Sequence, residues 1–185
     1  MDLKKFRIEC KNKNYPIMED SSLDKIIEYI KDGDQLLEIG ACVGYSSIYI
    51  ASHRQVNIIT IERDDQRALE AINNLANYDE IELIHLDALE YTPNQQFDVI
   101  IFDAAKAQNL KFLDRFLPYL KESGLIFVDN VHFHGYVKNP ELIKHQKNKY
   151  SMVMKMRQFI ETVQNDSKYS TEIFDVGDGV LKISL

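Results

Sequence analysis

The chain alternates short apolar runs with segments whose apolar residues recur every three or four positions. Five runs rich in Ile, Leu, Val and Phe have the length of buried β-strands: residues 35–39, 56–61, 81–86, 97–102 and 125–128. Helical spacing follows over residues 45–52, 65–77 and 109–120. Helices between buried strands predict an α/β fold, in which a mostly parallel sheet has helices on both faces.

The last part of the chain has a different pattern. A helix is predicted over residues 151–164, and two further apolar runs, 171–176 and 180–185, are joined by Gly177-Asp178-Gly179. An Asp-Gly step between apolar runs is typical of a β-hairpin. We therefore expect an antiparallel pair to close one edge of the sheet.

Length and composition favour one globular domain. The chain has 185 residues, 45% hydrophobic and 28% charged, so residues 1–185 are expected to form a single domain with a short N-terminal segment, 1–15. No apolar run approaches the roughly 20 residues that span a bilayer, and the N-terminus lacks the apolar stretch of a signal peptide. These features predict a cytoplasmic protein with no membrane contact.

A glycine loop follows the first predicted strand and points to an adenosine site. It begins Glu38-Ile39-Gly40, and the next strand ends at Glu62, whose carboxylate is suited to accept from ribose hydroxyls. Cys42 stands where a dinucleotide-binding loop would carry its second glycine. Glu38 would suit the cationic amino-acid part of S-adenosylmethionine better than a phosphate, so this cofactor is favoured over NAD. The alternative is a tight turn without a ligand.

Asp87 and Ala88 follow the third predicted strand. The carboxylate of Asp87 could accept from an adenine amino group, and the small Ala88 would leave room for the ring. An aspartate that caps a helix N-terminus explains the same residues equally well.

Three oxygen-bearing side chains follow the fourth and fifth predicted strands. Asp103 ends one strand, and Asp129 and Asn130 end the next, so neighbouring strands would bring them together. Carboxylate and amide oxygens without His or Cys favour Mg²⁺, or else Mn²⁺ or Ca²⁺. Lys106 lies three residues after Asp103 and could serve there as a general base. Taken singly, each acid could be a turn residue and the lysine a solvated surface residue.

Charge is distributed unevenly along the chain. The net charge is −7, yet residues 132–157 carry six Lys or Arg against one acid, and residues 1–14 carry five against two. Phe133, Tyr136 and Tyr150 interleave with the later lysines, as in surfaces that contact phosphates and stack on bases. For the apolar residues of this segment, a solvated helix whose apolar face packs on the core is a better explanation than an RNA surface. These residues are Met152, Val153, Met156 and Phe159.

Together these residues resemble the metal- and S-adenosylmethionine-dependent O-methyltransferases of the catechol and caffeoyl-CoA type, over nearly the whole chain. Within that family the resemblance is closest to bacterial tRNA 5-hydroxyuridine methyltransferases, through the runs PIME, DAAKAQ, DNVHFHG and VGDG. It implies a Rossmann-like class I methyltransferase fold with a seven-stranded sheet, and a homodimer.

The resemblance also implies roles for individual residues. Lys106 would be the base, acting with Asp103. The metal would be held by Asp103, Asp129 and Asn130. The residues implied to bind S-adenosylmethionine are Met18, Glu38, Gly40, Ser46, Glu62, Asp87, Ala88 and Asp103.

Two acceptors satisfy this chemistry. A hydroxyl beside a second oxygen can chelate Mg²⁺, and both catechols and 5-hydroxyuracil present such a pair. The sequence favours the wobble 5-hydroxyuridine of tRNA, converted to 5-methoxyuridine. A small catechol-type molecule is the alternative, and a nucleotide-binding protein without catalysis is a third hypothesis.

Overall fold

The computed structural model describes residues 1–185, which form one seven-stranded sheet between two layers of helices. The strands are β1 (Gln35–Ile39), β2 (Asn57–Glu62), β3 (Ile81–His85), β4 (Phe97–Phe102), β5 (Leu120–Asp129), β6 (Ser170–Phe174) and β7 (Val180–Ser184). They are ordered β3-β2-β1-β4-β5-β7-β6. The first five are parallel, and β7 is antiparallel to both β5 and β6. The predicted α/β fold with its C-terminal antiparallel pair is confirmed.

Six α-helices surround the sheet: α1 (Leu3–Asn12), α2 (Asp20–Ile27), α3 (Tyr45–Ala51), α4 (Asp65–Leu75), α5 (Asn109–Phe116) and α6 (Lys147–Asn165). Short 3₁₀ helices lie at Lys106–Gln108, Leu117–Tyr119 and Pro140–Ile143. No helix has the length and apolar character needed to cross a membrane.

The central strands are buried on both faces, which explains why apolar and polar residues do not alternate along them. Each central strand sends successive side chains to opposite faces, and both faces are covered. One core contains Leu36 and Val99 beneath α1, α2 and α3, and the other contains Leu37 and Ile100 beneath α5 and α6. Apolar residues at nearly every strand position are the consequence.

The structure corrects the sequence prediction at several places. The helix that was the alternative explanation of Asp87 is absent, because residues 86–96 between β3 and β4 form only turns and bends. The helices α1 and α2 were not predicted, since α1 buries only Phe6 and Cys10 among many charges. The helix α6 begins four residues earlier than predicted, with a polar first turn. As expected for a helix with one core face, it buries Val153, Met156 and Phe159.

The order of the strands places a crevice in the middle of the sheet. The chain runs from β1 through β2 to β3 on one side of β1 and then crosses to β4 and β5 on the other side, so the loops after β1 and β4 lead away in opposite directions. The amide of Asp103 donates to the carbonyl of Ile39 over 2.9 Å, which holds these loops side by side at their start. In open α/β sheets ligands bind at this position.

Candidate active site

A cavity of about 670 Å³ opens at the carboxyl ends of the parallel strands. This volume lies in the range of small-molecule sites. Eight of the eleven residues predicted for the site line it: Met18, Gly40, Glu62, Asp87, Ala88, Asp103, Lys106 and Asn130. The other three, Glu38, Ser46 and Asp129, are buried behind its wall.

The carboxylate of Glu62 organises the glycine loop. One oxygen accepts from the amide of Cys42 over 2.9 Å, and the other accepts from the amides of Arg63 and Asp64, also over 2.9 Å. Cys42 has a positive φ of 49°, an uncommon conformation for a residue with a side chain, and this bond helps to hold it. A carboxylate has about four acceptor positions, so Glu62 retains about one for a ribose hydroxyl.

Glu38 lies beneath the glycine loop rather than on the cavity wall. Its carboxylate accepts hydrogen bonds from the hydroxyls of Ser46, Ser47 and Thr60. Burial raises the pKa of Glu38 above its usual value, and the three donors act in the opposite direction. Direct contact between Glu38 or Ser46 and a cofactor therefore stays a prediction. The structure adds Ser47 and Thr60 to the group, and Thr60 is the parallel-sheet neighbour of Glu38.

Asp87 caps a turn and also lines the cavity. One oxygen accepts from the amide of Leu89 over 2.9 Å in a turn, and the other lies 3.3 Å from the guanidinium of Arg63. The side chain nonetheless lines the cavity beside the buried Ala88. It caps a turn instead of a helix, because no helix follows β3.

Lys106 and Asp103 form a largely buried ion pair at the other end of the cavity. The Nζ of Lys106 lies 2.7 Å from Oδ1 of Asp103, with only 13% and 10% of their side chains exposed. The short 3₁₀ helix that begins at Lys106 turns the lysine back over the end of β4. The role of Lys106 as a base stays a prediction.

Asp129 is the most unusual carboxylate in the molecule. It is 1% exposed, and neither of its oxygens has a hydrogen-bond partner. Burial, together with the nearby Asp103 carboxylate, raises the pKa of Asp129 to about 7. A buried carboxylate without partners is costly, so these surroundings suit a cation. No group of three or more His, Cys, Asp or Glu side chains is arranged to hold a metal, and a cation here would need Asn130 as well as the two acids.

The walls beside the acceptor end come from two segments, in which Met18 was the only residue predicted to belong to the site. Pro16, Ile17 and Met18 form one wall, and Arg7 of α1 holds the Met18 carbonyl over 3.2 Å. Phe133 and His134 form the opposite wall, with their ring centres 5.4 Å apart. The aromatic residues after Asn130 gave a signal for this second wall, whereas the role of Arg7 depends on contacts that sequence spacing does not show.

Several known proteins with a similar sequence or structure are described as methyltransferases. A family model described as O-methyltransferase matches residues 3–184. A solved structure from Staphylococcus aureus, described as a candidate caffeoyl-CoA O-methyltransferase, is 31% identical with a TM-score of 0.91, covering 100% of this chain and 93% of that one. The catechol O-methyltransferase of Mycobacterium tuberculosis is 30% identical over 105 residues, which are 52% of this chain and 48% of that protein.

The fold also occurs with a bound product of methyl transfer. The structure of an O-methyltransferase from Bacillus cereus in complex with S-adenosylhomocysteine has a TM-score of 0.78 and 24% identity, covering 99% of this chain and 90% of that one. The descriptions of these four matches name O-methyltransferases and do not refer to tRNA.

Proposed function

Because the chain belongs to the O-methyltransferase family and uses S-adenosylmethionine, we propose that it methylates a hydroxyl of a small catechol-type acceptor. This reverses the preference of the sequence analysis, which placed tRNA first. Both the S. aureus structure and the M. tuberculosis relative carry names for small acceptors with neighbouring hydroxyls.

The observation that carries the proposal is the placement of Lys106. Its amine lies on Asp103, beside the unpartnered carboxylate of Asp129, in the same cavity as the glycine loop and Glu62. One end of the cavity thus offers groups suited to adenosine. The other end offers groups that can deprotonate and orient a hydroxyl.

The residues at the acceptor end fit a divalent cation of the Mg²⁺ type. Asp103, Asp129 and Asn130 would hold it through carboxylate and amide oxygens, the donors that such an ion prefers. When bound, the ion would lower the pKa of a chelated hydroxyl.

The chain itself supplies a proton acceptor, orientation and exclusion of water. Lys106 is the only lysine that lines the cavity. Once it has given up its own proton to solvent, its neutral amine would receive the hydroxyl proton as the acceptor oxygen bonds to the methyl carbon and the bond from sulfur to that carbon breaks. Phe133 and the segment of residues 16–18 would hold the acceptor plane between them.

The proposal is tested by methyl transfer from S-adenosylmethionine to catechol, with phenol as the single-hydroxyl comparison. We expect catechol to be methylated, phenol to be poor, and EDTA to abolish the reaction. Lys106→Gln should lose at least about a hundredfold in kcat, the usual contribution of a general base. Lys111→Gln, an exposed lysine on α5, is the matched control. Equal rates on phenol, or full activity in EDTA, would contradict the proposal.

A tRNA acceptor is the second candidate, and one observation favours it. The wall formed by Phe133 and His134 continues into the basic segment 138–157. There Lys144 is paired with Glu141 over 3.1 Å, while Lys147, Lys149 and Lys155 are exposed and form no ion pair. Unpaired lysines in the segment that follows these aromatic residues in the sequence would suit an RNA backbone with a base at the cavity.

The two candidates differ in their response to charge. If tRNA bearing 5-hydroxyuridine is the acceptor, Lys147→Glu with Lys149→Glu should abolish its methylation and reduce the salt dependence of binding. Turnover on catechol should not change. The small molecule is the substrate if the parent enzyme prefers catechol and the double variant retains its activity on both acceptors.

A further inference from the structure

The turn Gly177-Asp178-Gly179 between β6 and β7 lies against the acceptor end of the cavity. Both glycines have positive φ, 55° and 86°, and Asp178 between them lines the cavity. The mechanism proposed above makes no use of this turn. Its contacts nevertheless reach both walls of the acceptor end.

On one side the turn holds the loop that follows β5. The amides of Val131 and His132 donate to the carbonyls of Gly179 and Asp178 over 3.0 and 2.9 Å. The amide of His134 donates to the two carboxylate oxygens of Asp178 over 2.8 and 3.0 Å. The fit leaves no room for a side chain at position 179, because a Cβ there would lie 2.6 Å from the ring of His132.

The loop held in this way is conformationally strained. Asn130, Phe133 and His134 have φ values of 58°, 44° and 56°, in the left-handed region that residues with side chains rarely adopt. All three line the cavity. Strained residues keep such conformations only where surrounding contacts impose them, and the carboxylate of Asp178 makes the only side-chain hydrogen bonds to the backbone of this loop.

On its other side the turn packs against the opposite wall. A Cβ at Gly177 would collide with the hydroxyl of Ser22 and lie 3.4 Å from the Cβ of Glu19. Glu19 directly follows Met18, which lines the cavity. The turn therefore sits between the two segments that form the acceptor end.

We propose that Asp178 is a positioning residue for the methyl acceptor: it fixes Phe133 and His134 in their strained conformation, so that the acceptor wall is formed before the acceptor binds. This inference rests on the proposed function, in which the acceptor lies against that wall. It assigns no contact between Asp178 and the adenosine end, where Glu62 and Asp87 lie.

The test separates acceptor binding from cofactor binding. Asp178→Ala should raise the KM for catechol by about tenfold or more, the effect of losing a hydrogen bond to a charged group. The Kd for S-adenosylmethionine, measured by calorimetry, should change by less than about twofold. Asp178→Asn retains one oxygen acceptor for the His134 amide and should restore most of the parent KM.

Asp175→Ala is the matched control. It removes an acid from the same hairpin, and Asp175 contacts the side chain of His132 rather than the strained backbone. We expect its KM for catechol to stay within about twofold of the parent. A KM for Asp178→Ala equal to that of Asp175→Ala, or a Kd for the cofactor that rises as much as the KM, would overturn the inference.

Hydrogen exchange gives a measurement that does not depend on activity. In Asp178→Ala the amides of residues 131–137 should exchange faster while those of β1 and β4 are unchanged. If the parent methylates no catechol, the proposed function fails, and this comparison still decides whether Asp178 holds the loop. If Asp178→Ala does not fold, the same comparison is made on Asp178→Asn, whose His134 amide should exchange faster than in the parent because one of its two acceptor oxygens is lost. Exchange at His134 as slow as in the parent would overturn the inference.

Discussion

At the scale of single residues, Asp129 is as buried as Glu38, at 1% exposed, but neither of its carboxylate oxygens has a hydrogen-bond partner. Its pKa is raised from 3.8 to about 7, so the folded protein binds a proton here more readily than the unfolded chain. Below about pH 4 the carboxyl is neutral in both the folded and the unfolded chain, and the folded state is favoured. As the pH rises through about 7, the folded protein must hold a buried negative charge, and its free energy of unfolding falls. At pH 8 without metal, the folded protein carries the whole cost of the buried charge.

We therefore expect Asp129→Asn to be more stable than the parent in EDTA at pH 8, by about 2 kcal/mol, the order expected when an unpartnered buried charge is removed. Urea unfolding measures the difference. Asp114→Asn, at an exposed position of α5, is the control and should change little. Added Mg²⁺ should stabilise the parent and not the Asp129 variant. A variant less stable than the parent in EDTA would show that the Asp129 carboxylate is satisfied without a metal.

Glu62 allows a second prediction at this scale. Glu62→Ala should weaken S-adenosylmethionine binding by about 1.5–3 kcal/mol, because it removes hydrogen bonds to a charged group and also frees the amide of Cys42. Glu82→Ala, an exposed acid on β3, should bind the cofactor like the parent. Calorimetry measures the dissociation constant for S-adenosylmethionine and, as a comparison, for NAD, which we expect not to bind. An unchanged dissociation constant, or comparable affinity for NAD, would show that the glycine loop serves another ligand.

At the scale of the elements, the loop after β1 and the end of β4 approach too closely for any side chain at Gly40. A Cβ there would collide with the backbone oxygen of Asp103, and the φ of Gly40 is 109°. Gly40→Ala should cost roughly 3 kcal/mol of stability and abolish cofactor binding, since the two loops must separate. Gly33→Ala is a close control: its φ is 94°, but a Cβ there meets nothing within 4 Å.

The difference between the two glycine variants isolates the contact between the loops. Gly33→Ala should lose only about 1 kcal/mol, the cost of a positive φ alone, and retain cofactor binding. Chemical unfolding and calorimetry measure both quantities. Equal losses of stability in the two variants would mean that the loops can separate at no cost.

The elements also show how far the sequence alone could lead. Buried strands such as β4 could be predicted because covered parallel strands leave uninterrupted apolar runs, and the site residues at their ends followed from topology. The helix α1 could not, because two buried residues among charges leave almost no periodic signal. The hydrogen bonds from hydroxyls to Glu38, and from the His134 amide to Asp178, join segments far apart in the sequence. They could not be predicted, because only folding brings these segments together.

At the scale of the whole molecule, two hydrophobic cores share one sheet. Phe127 on β5 belongs to one core and Phe102 on β4 to the other, and the two strands are paired. Because neither core can unfold without exposing the strands that both cores share, we expect one unfolding transition. Phe127→Leu and Phe102→Leu should each lower the unfolding free energy by about 1–2 kcal/mol and keep fluorescence and circular dichroism transitions coincident. Separate transitions would indicate two independent folding units.

The pairing of Asp129 with Val180 across β5 and β7 also has a consequence during synthesis on the ribosome. The strand that carries Asp129 emerges some fifty residues before its antiparallel neighbour, and the turn that grips the acceptor wall emerges with that neighbour. Every residue proposed to react is thus translated before the segment that fixes the acceptor wall. Nascent chains arrested before residue 180 should already protect β1 and β4 from proteases but release methylated product only after β7 has emerged.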